Sequence, residues 1–102
     1  MTHPAGLLDD VIHQRVRLGI MAVLAEADEA EFTFLKTQLD LTDGNLNRHL
    51  QVLEDAGYIA RRRSRLGGRV KTWIRATSAG AAALSKHLST LQRLIDQTKG
   101  TP

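Results

Sequence analysis

The first quarter of the chain carries apolar side chains at helical spacing. They fall into two stripes, one made of Leu8, Ile12, Val16, Ile20, Val23 and Ala27 and the other of Leu7, Val11, Leu18, Met21 and Ala25. The spacing predicts a helix from Leu7 to about Ala27. Because a surface helix of a small domain needs only one apolar stripe, the second stripe is expected to face either more of the same core or a second subunit.

A brief helix is predicted next, after an acidic turn. Phe32 and Thr33 are expected to form a short strand, with Thr33 as the N-cap of a helix that carries Phe34, Leu35 and Leu39.

The following helix has stronger boundary signals. Thr42 is a good N-cap, and the helix is predicted from Asp43 to Ala56, with Gly57 as its stop. Its apolar face consists of Leu46, Leu50 and Leu53. Asp43 suits the positive end of the helix dipole, and the free N–H groups at this end also favour phosphate. Thr42 and Asp43 are therefore candidates for both capping and phosphate contact.

The last third of the chain predicts a hairpin and a final helix. Residues 58–64 and 70–76 have strand composition, and the glycines at 67 and 68 supply the turn. The final helix begins at Thr77 or Ser78 and reaches about Asp96, followed by a frayed tail over residues 97–102. Its apolar stripe consists of Leu84, Leu88, Leu91 and Ile95.

The order of these elements predicts the fold. Two consecutive short helices with a tight joint are a helix-turn-helix, and a hairpin directly behind them is a wing. We therefore expect a mainly α fold with a small β-hairpin (α+β), a winged helix-turn-helix, as a single domain over residues 1–102. Its ordered part would span about 7–96, the helix-turn-helix about 33–57, the wing about 58–77 and the last helix about 78–96.

Charge divides the chain into an acidic and a basic half. Residues 1–57 carry 4 Lys or Arg against 10 Asp or Glu, whereas residues 58–102 carry 10 against 1. Seven of the cations lie within residues 61–75, with no acid among them. A field of one sign repels itself and costs stability unless a polyanion neutralises it. A basic hairpin behind a helix rich in Asn, Arg and Gln therefore favours a nucleic-acid reader.

The helix over residues 43–56 exposes side chains suited to base edges. With its leucines turned inward, the outward positions are Gly44, Asn47, Arg48 and Gln51. Arg can fork onto guanine O6 and N7, and Asn and Gln can pair with adenine N6 and N7. A solvated face on a bundle helix would also be polar. The absence of acid between residues 44 and 52 favours base reading.

The hairpin cations are predicted to contact the DNA backbone or the minor groove. They are Arg61, Arg62, Arg63, Arg65, Arg69 and Lys71. The alternative is a disordered charged turn. If Arg65 pairs with Val70, Arg62 lies opposite Trp73, and packing of Arg62 on the indole is favoured over base stacking by a lone tryptophan.

Three runs resemble the sequences of winged-helix bacterial regulators of the MarR and ArsR kind, in particular small stand-alone ones: T-D-G-N-L at residues 42–46, L-E-D-A-G-Y at 53–58 and T-S-A-G at 77–80. The resemblance covers roughly residues 8–95. It implies a homodimer joined by its N- and C-terminal helices on a partly palindromic DNA site, and it adds Asn45 to the base-reading residues. The interface residues would be Leu7, Val11, Leu84, Leu88, Leu91 and Ile95.

Catalytic and metal chemistry find little support in the sequence. The chain has no Cys, which excludes disulfides, thiolate metal sites and the cysteine clusters of metal-sensing regulators. No serine lies in a nucleophile elbow, and no glycine-rich phosphate loop is present. We expect no enzyme activity, no metal and no cofactor.

The four histidines, His3, His13, His49 and His87, do not share a metal-ligand spacing. His13 and His87 are predicted on the two terminal helices, where a metal or pH sensor would need them together. Two ordinary, partly exposed histidines are the favoured interpretation. The adjacent Asp9 and Asp10 diverge on a helix, so capping explains them better than a carboxylate pair.

The start of the chain lacks the features of a signal peptide, and its longest apolar run, residues 19–25, is too short to cross a bilayer. We expect a cytoplasmic protein without a membrane partner.

The expected function is that of a sequence-specific, homodimeric transcription regulator, more simply a repressor than an activator. Its partners would be double-stranded DNA and a second copy of itself, and the sequence does not specify an effector. Two alternatives remain open: a protein-interaction winged helix whose hairpin docks an acidic partner, and a non-specific architectural coater. Asn47, Arg48 and Gln51 argue against the coater, which would prefer Lys and Arg there.

Overall fold

The computed structural model describes residues 3–100, which form four α-helices and a small three-stranded antiparallel sheet. A 3₁₀ helix, Pro4–Leu7, comes first, and the other elements are α1 (Arg15–Glu26), β1 (Ala30–Glu31), α2 (Phe32–Gln38), α3 (Asp43–Asp55), β2 (Ile59–Leu66), β3 (Arg69–Ala76) and α4 (Ser78–Lys99). The predicted winged helix is confirmed, with α2 and α3 as the helix-turn-helix and β2–β3 as the wing. The outermost positions of the chain, including the end of the predicted frayed tail, lie outside the described residues.

The sheet has the strand order β1-β3-β2. In the wing, Arg65 pairs with Val70 and Arg62 with Trp73, as the sequence predicts. The turn between the strands places Gly67 and Gly68 at φ 59° and 79°. A two-residue type I′ turn requires a positive φ at both positions, which glycine adopts without steric cost.

Helix α3 has the predicted boundaries to within one residue. The Thr42 hydroxyl accepts a hydrogen bond from the Asn45 N–H at 3.2 Å, and the helix ends at Asp55. Gly57, with φ 81°, follows as the stop. The leucine face is fully buried: Leu46, Leu50 and Leu53 have no exposed surface. Each such side chain contributes about 1.5–3 kcal/mol of burial free energy, so α3 is anchored firmly with its polar face outward.

The predicted first helix is wrong over its first half, because α1 begins only at Arg15. Gln14 is extended at φ −147° and caps α1 by accepting a hydrogen bond from the Arg17 N–H at 2.9 Å. Residues 8–14 instead form a turn on the surface of α1 and α4. Its Ile12 is nevertheless fully buried in the core, so the apolar stripe predicts burial here but not the backbone conformation.

Asp9 gives the physical reason for this break. Its Oδ1 accepts hydrogen bonds from the backbone N–H groups of Val11 at 2.8 Å and Ile12 at 3.2 Å. Such bonds offer the backbone an alternative to helix, so Asp9 stabilises a turn, and no helix begins at the position where the sequence predicted it to cap one. Its Oδ2 accepts a hydrogen bond from the Tyr58 hydroxyl at 2.5 Å. Burial alone would raise the pKa of Asp9, but these hydrogen bonds outweigh it and hold the pKa below its ordinary value.

Thr33 is not the N-cap of α2. The helix begins at Phe32, its N-cap is Glu31, and Thr33 lies inside it, donating a hydrogen bond to Glu31 Oε1 at 2.8 Å. The short strand lies two residues earlier than predicted, since Ala30 pairs with Ile74 on β3. This long-range pairing determines where the short strand ends and α2 begins, and the local sequence does not indicate the pairing.

Helix α4 begins at the predicted cap and is longer than predicted. Thr77 Oγ1 accepts a hydrogen bond from the Gly80 N–H at 3.0 Å, and the helix continues to Lys99. Leu84 is buried in the core, whereas Leu88 and Ile95 are 49% and 45% exposed. No helix in residues 3–100 is long and apolar enough to cross a membrane.

Candidate nucleic-acid interface

The outward face of α3 is as the sequence predicts. All five predicted base-reading positions are exposed: Gly44, Asn45, Asn47, Arg48 and Gln51. The buried leucines on the opposite side fix the rotation of the helix, so the polar positions project away from the core. Their exposure is a fact of the structure, and their role in reading bases stays a prediction.

Two of these side chains hold each other in place. Arg48 Nη2 donates a hydrogen bond to Asn45 Oδ1 at 2.8 Å. An arginine has five N–H donors, so most of the guanidinium of Arg48 stays available to an outside acceptor. The pairing orients a fork-shaped donor on the exposed face of α3, which is the geometry that guanine O6 and N7 require.

The start of α3 combines a cap with an ion pair. Asp43 Oδ1 lies 2.8 Å from Lys36 Nζ, and the Asp43 side chain is 69% exposed. Lys36, at the end of α2, thus compensates the one carboxylate at this end of α3. The ammonium, the Thr42 cap and the positive helix end create a surface on which a phosphate would be tolerated.

The wing has two faces. Strand alternation places Arg61, Arg63 and Arg65 on the face of Ile59 and Ile74, toward the helices. The opposite face carries Arg62, Ser64, Lys71 and Trp73. The six predicted wing cations therefore do not form one surface.

On the outer face, Arg62 is paired with an acid that the sequence did not indicate. Its Nε and Nη2 donate to Glu29 Oε2 and Oε1 at 2.6 and 2.7 Å. Its guanidinium carbon also lies 5.6 Å from the centroid of the Trp73 ring, which confirms the predicted packing. The hydrogen bond from Arg62 lowers the pKa of Glu29. Lys71 Nζ lies 3.7 Å from Glu31, so two of the six cations have carboxylate partners next to β1.

On the inner face, Arg61 turns toward α3. Its Nη1 donates to Asn47 Oδ1 at 3.1 Å, and its Nη2 donates to Gln51 Oε1 at 3.4 Å and lies 3.5 Å from Glu54 Oε1. These groups line a cleft of about 510 Å³ between α3 and the wing. Arg61, which is predicted to contact the DNA backbone, thus contacts Asn47 and Gln51, which are predicted to read bases.

Arg63, Arg65 and Arg69 differ from the other wing cations. They are exposed, and within residues 3–100 they have no hydrogen bond or ion pair from their side chains. Arg63 and Arg65 share the side of the wing that faces α3, and Arg69 follows the glycine turn. Arg63 lines the cleft beside α3, whereas Arg65 and Arg69 lie further out on the wing; these three unpaired cations define the basic part of the site.

His87 is not an ordinary, partly exposed histidine, as the sequence favoured. It is 1% exposed, its Nδ1 accepts a hydrogen bond from the Asp9 N–H at 3.2 Å, and its Nε2 lies 3.2 Å from His13 Nδ1. Burial lowers the pKa of His87, and the charge of His13 lowers it further. No group of three or more possible metal ligands occurs within the described residues.

The predicted dimer residues lie in different environments. Leu84 belongs to the core of the single chain, Leu7 is 40% exposed on the 3₁₀ helix, and Val11 packs against the core from the turn before α1. Beside Leu88, a groove of about 420 Å³ runs between α1 and α4, lined mainly by apolar side chains. Among the predicted dimer residues, the exposed large apolar side chains are thus Leu7 on the 3₁₀ helix and Leu88 and Ile95 on α4.

A helix-turn-helix with an exposed Asn, Arg and Gln face, flanked by a basic wing, defines the class of winged-helix DNA-binding proteins. The sequence pattern described as a winged helix DNA-binding domain matches residues 16–95, and the chain belongs to this family. The family is one of DNA-binding domains.

Relatives of similar length support the same placement. An uncharacterized protein of Methanocaldococcus jannaschii is 38% identical over 84 residues, which are 82% of this chain and 91% of the relative. The structure of a transcriptional regulator homologue from Pyrococcus horikoshii OT3 is 34% identical and superposes with a TM-score of 0.81, covering 86% of this chain and 87% of that one.

MarR-family structures share the fold. A mutant of Lactococcus lactis ZitR in complex with DNA superposes with a TM-score of 0.64 at 18% identity, over 89% of this chain and 61% of that chain. ZitR is described as a zinc-responsive MarR family member. At this identity the likeness concerns the fold alone.

Proposed function

We propose that the chain is a sequence-specific, DNA-binding transcription regulator that acts as a homodimer on a partly palindromic operator. The observation that carries this proposal is the pairing of two surfaces. The exposed amide groups of Asn47 and Gln51 on α3 line one cleft with Arg61 and Arg63 of the wing, and the unpaired cations Arg65 and Arg69 lie further along the hairpin. Amide and guanidinium side chains can recognise base edges, and unpaired cations can bind phosphates.

In the proposed complex, α3 enters the major groove with its N-terminal half against the bases. Gly44 has open space at its Cα, where a Cβ would meet no atom within 4 Å, so the helix backbone can approach the DNA closely. Arg48 would fork onto guanine, with Asn45, Asn47 and Gln51 beside it. Thr42 and Asp43 would lie at a phosphate, and the wing would follow the backbone or the minor groove.

A homodimer would bring two copies of α3 to successive turns of the duplex, about 34–36 Å apart. Support for the dimer comes from the exposed Leu88 and Ile95 on α4 and from the apolar groove that Leu88 lines between α1 and α4. Apolar side chains exposed on one helix are stabilised when a second copy covers them. Repression is the simpler output, since a domain of this size has little surface for recruiting polymerase, and it would be exerted in the cytoplasm.

The test is selection of bound duplexes from a random DNA pool at near-physiological salt, with the mass of the protein measured alongside. An enriched inverted repeat and a dimer mass are the expected result. Unselective binding would instead identify an architectural coater, and no binding would identify a protein-docking winged helix.

An Arg48→Ala variant should lose preference at particular base positions by about 1–3 kcal/mol per lost bidentate contact. Unchanged base preference in this variant would contradict the assignment of α3 as the recognition helix.

A further inference from the structure

Arg61 connects the wing to α3 at the point where both would meet DNA. Its side chain is 20% exposed, much less than that of Arg62 at 53%. The Nε atom is buried, so only the two terminal nitrogens reach α3. They contact Asn47 Oδ1, Gln51 Oε1 and Glu54 Oε1 at 3.1, 3.4 and 3.5 Å.

The chemistry of these partners fixes the orientation of both amides. A guanidinium has donors and no acceptor, so Asn47 and Gln51 must each turn a carbonyl oxygen toward Arg61. The amide NH₂ of Asn47 then points away from Arg61. The NH₂ of Gln51 donates to Asp55 Oδ1 at 2.8 Å, so both ends of this amide already have partners. Glu54 balances the charge of Arg61.

We propose, on the basis of the proposed function, that Arg61 is a positioning residue for base reading and not a backbone contact. Adenine recognition needs a donor and an acceptor from the same amide. With its oxygen engaged by Arg61, Asn47 offers the donor group. It therefore reads acceptor edges in the major groove and favours guanine, which presents the two acceptors N7 and O6, over adenine, whose N7 acceptor lies next to the N6 donor.

The wing residue Arg63 shows what a backbone contact on the same face would look like. It lies two positions further along β2, is exposed, and has no partner among residues 3–100. Releasing Arg61 to a phosphate would break its contacts with Asn47, Gln51 and Glu54. Arg63 could contact a phosphate without breaking any contact of this kind.

The experiment compares Arg61→Lys with the matched control Arg63→Ala in random-pool selection and in salt titrations of the selected operator. Lysine keeps the charge but cannot fork across two amides. Arg61→Lys should keep the salt slope and alter the preference at the position read by Asn47, with adenine becoming accepted. Arg63→Ala should keep every base preference and lower the salt slope by about one unit.

Asn47→Asp provides a second test, because a carboxylate still accepts from Arg61 but has no NH₂ to present. It should lose preference at the same base position as Arg61→Lys. A readout without DNA completes the set: in nitrogen-15 NMR spectra of the free chain, the Asn47 NH₂ signals should shift in Arg61→Lys and stay in Arg63→Ala.

Unchanged base preference and unchanged Asn47 signals in Arg61→Lys would overturn the positioning role while leaving the regulator function intact. An Arg61→Ala variant that only lowers the salt slope would likewise assign Arg61 to the backbone. A native chain that selects no DNA sequence would overturn both proposals together.

Discussion

His87 is the residue on which distant parts of the chain converge. Because its Nδ1 accepts a hydrogen bond from the Asp9 N–H, the ring proton lies on Nε2 and points at His13 Nδ1, 3.2 Å away. The neutral ring satisfies both contacts, whereas a protonated ring would direct a second donor at the Asp9 N–H. Acid therefore opposes the attachment of residues 8–14 to α4.

Stability should fall when the pH drops from 7.5 to 5. The pKa of buried His87 is lowered in the folded chain, so the unfolded chain binds the additional proton. The stability that the neutral His87 ring contributes is complete above the ordinary histidine pKa of about 6.5. It is lost as the pH falls toward the lower pKa of His87 in the folded chain, with a slope of up to about 1.4 kcal/mol per pH unit for one proton. Urea unfolding across this pH range measures it. His49, whose pKa burial and Arg17 also lower, adds with the same sign.

A His87→Asn variant separates the pH dependence due to His87 from that due to His49, because asparagine keeps an acceptor near the Asp9 N–H but does not titrate. Its unfolding free energy should depend less steeply on pH than that of the native chain. His3→Asn is the matched control, since exposed His3 also accepts a backbone N–H, that of Ala5 at 3.0 Å. Equal slopes in the His87 variant and the native chain would contradict the assignment.

At the scale of elements, the approach of α4 to β2 depends on one glycine. A Cβ on Gly80 would lie 2.0 Å from the carbonyl oxygen of Tyr58, which is backbone and cannot move aside. The Thr77 N–H donates to that same oxygen at 3.0 Å. The start of α4 is therefore held against the end of the turn that leads into the wing.

Gly80→Ala should lower the free energy of unfolding by about 3 kcal/mol, at the upper end of the usual cost of overpacking. Gly44→Ala is the control, because a Cβ there meets nothing within 4 Å and alanine favours helix by up to about 1 kcal/mol. Chemical denaturation of the two variants makes the comparison. If both variants unfold at the denaturant concentration of the native chain, the close packing of α4 on Tyr58 is wrong.

The elements that the sequence predicted well are those with local signals. Helix α3 has a cap, a leucine face and a stop glycine. The wing has two turn glycines between segments of strand composition, and with Arg65 opposite Val70 the pairing of Arg62 with Trp73 follows. The break before α1 could not be predicted in this way. Residues 8–14 are apolar at helical spacing, but Asp9 is held by Tyr58 and His87, which lie 49 and 78 positions further along the chain.

In the candidate site too, the features with local sequence signals were predictable and those set by long-range contacts were not. Exposure of the α3 face followed from its period, whereas the partners of the wing arginines did not. Glu29 reaches Arg62 across 33 positions, and Arg61 reaches back to Asn47 across 14. Because the sequence shows charges without their neighbours, six similar cations turned out to have three different environments.

At the scale of the whole molecule, the chain is elongated, with extents of 61 × 25 × 22 Å. Helix α4 carries Leu88 and Ile95, 49% and 45% exposed, on the same helix as the buried Leu84, His87 and Thr90. In the proposed dimer, a second copy would remove these two side chains from water. The long axis and the apolar stripe together favour assembly through α4.

Leu88→Asp should convert dimers to monomers at low micromolar concentration, because a carboxylate cannot be buried in an apolar interface without a large desolvation cost. Sedimentation measures the mass. Ser89→Asp, at the neighbouring exposed position, is the control and should leave the mass unchanged. Dimers that persist in the Leu88 variant would exclude this surface of α4 as the interface.

The contact of Asp9 with His87 also determines the order in which the chain can fold during synthesis. The segment before α1 leaves the ribosome early, but its partner on α4 lies 78 positions later. Closing so long a loop is entropically costly until the elements between its ends are in place. The helix-turn-helix and the wing can therefore form before the contact of Asp9 with His87 attaches residues 8–14 to α4.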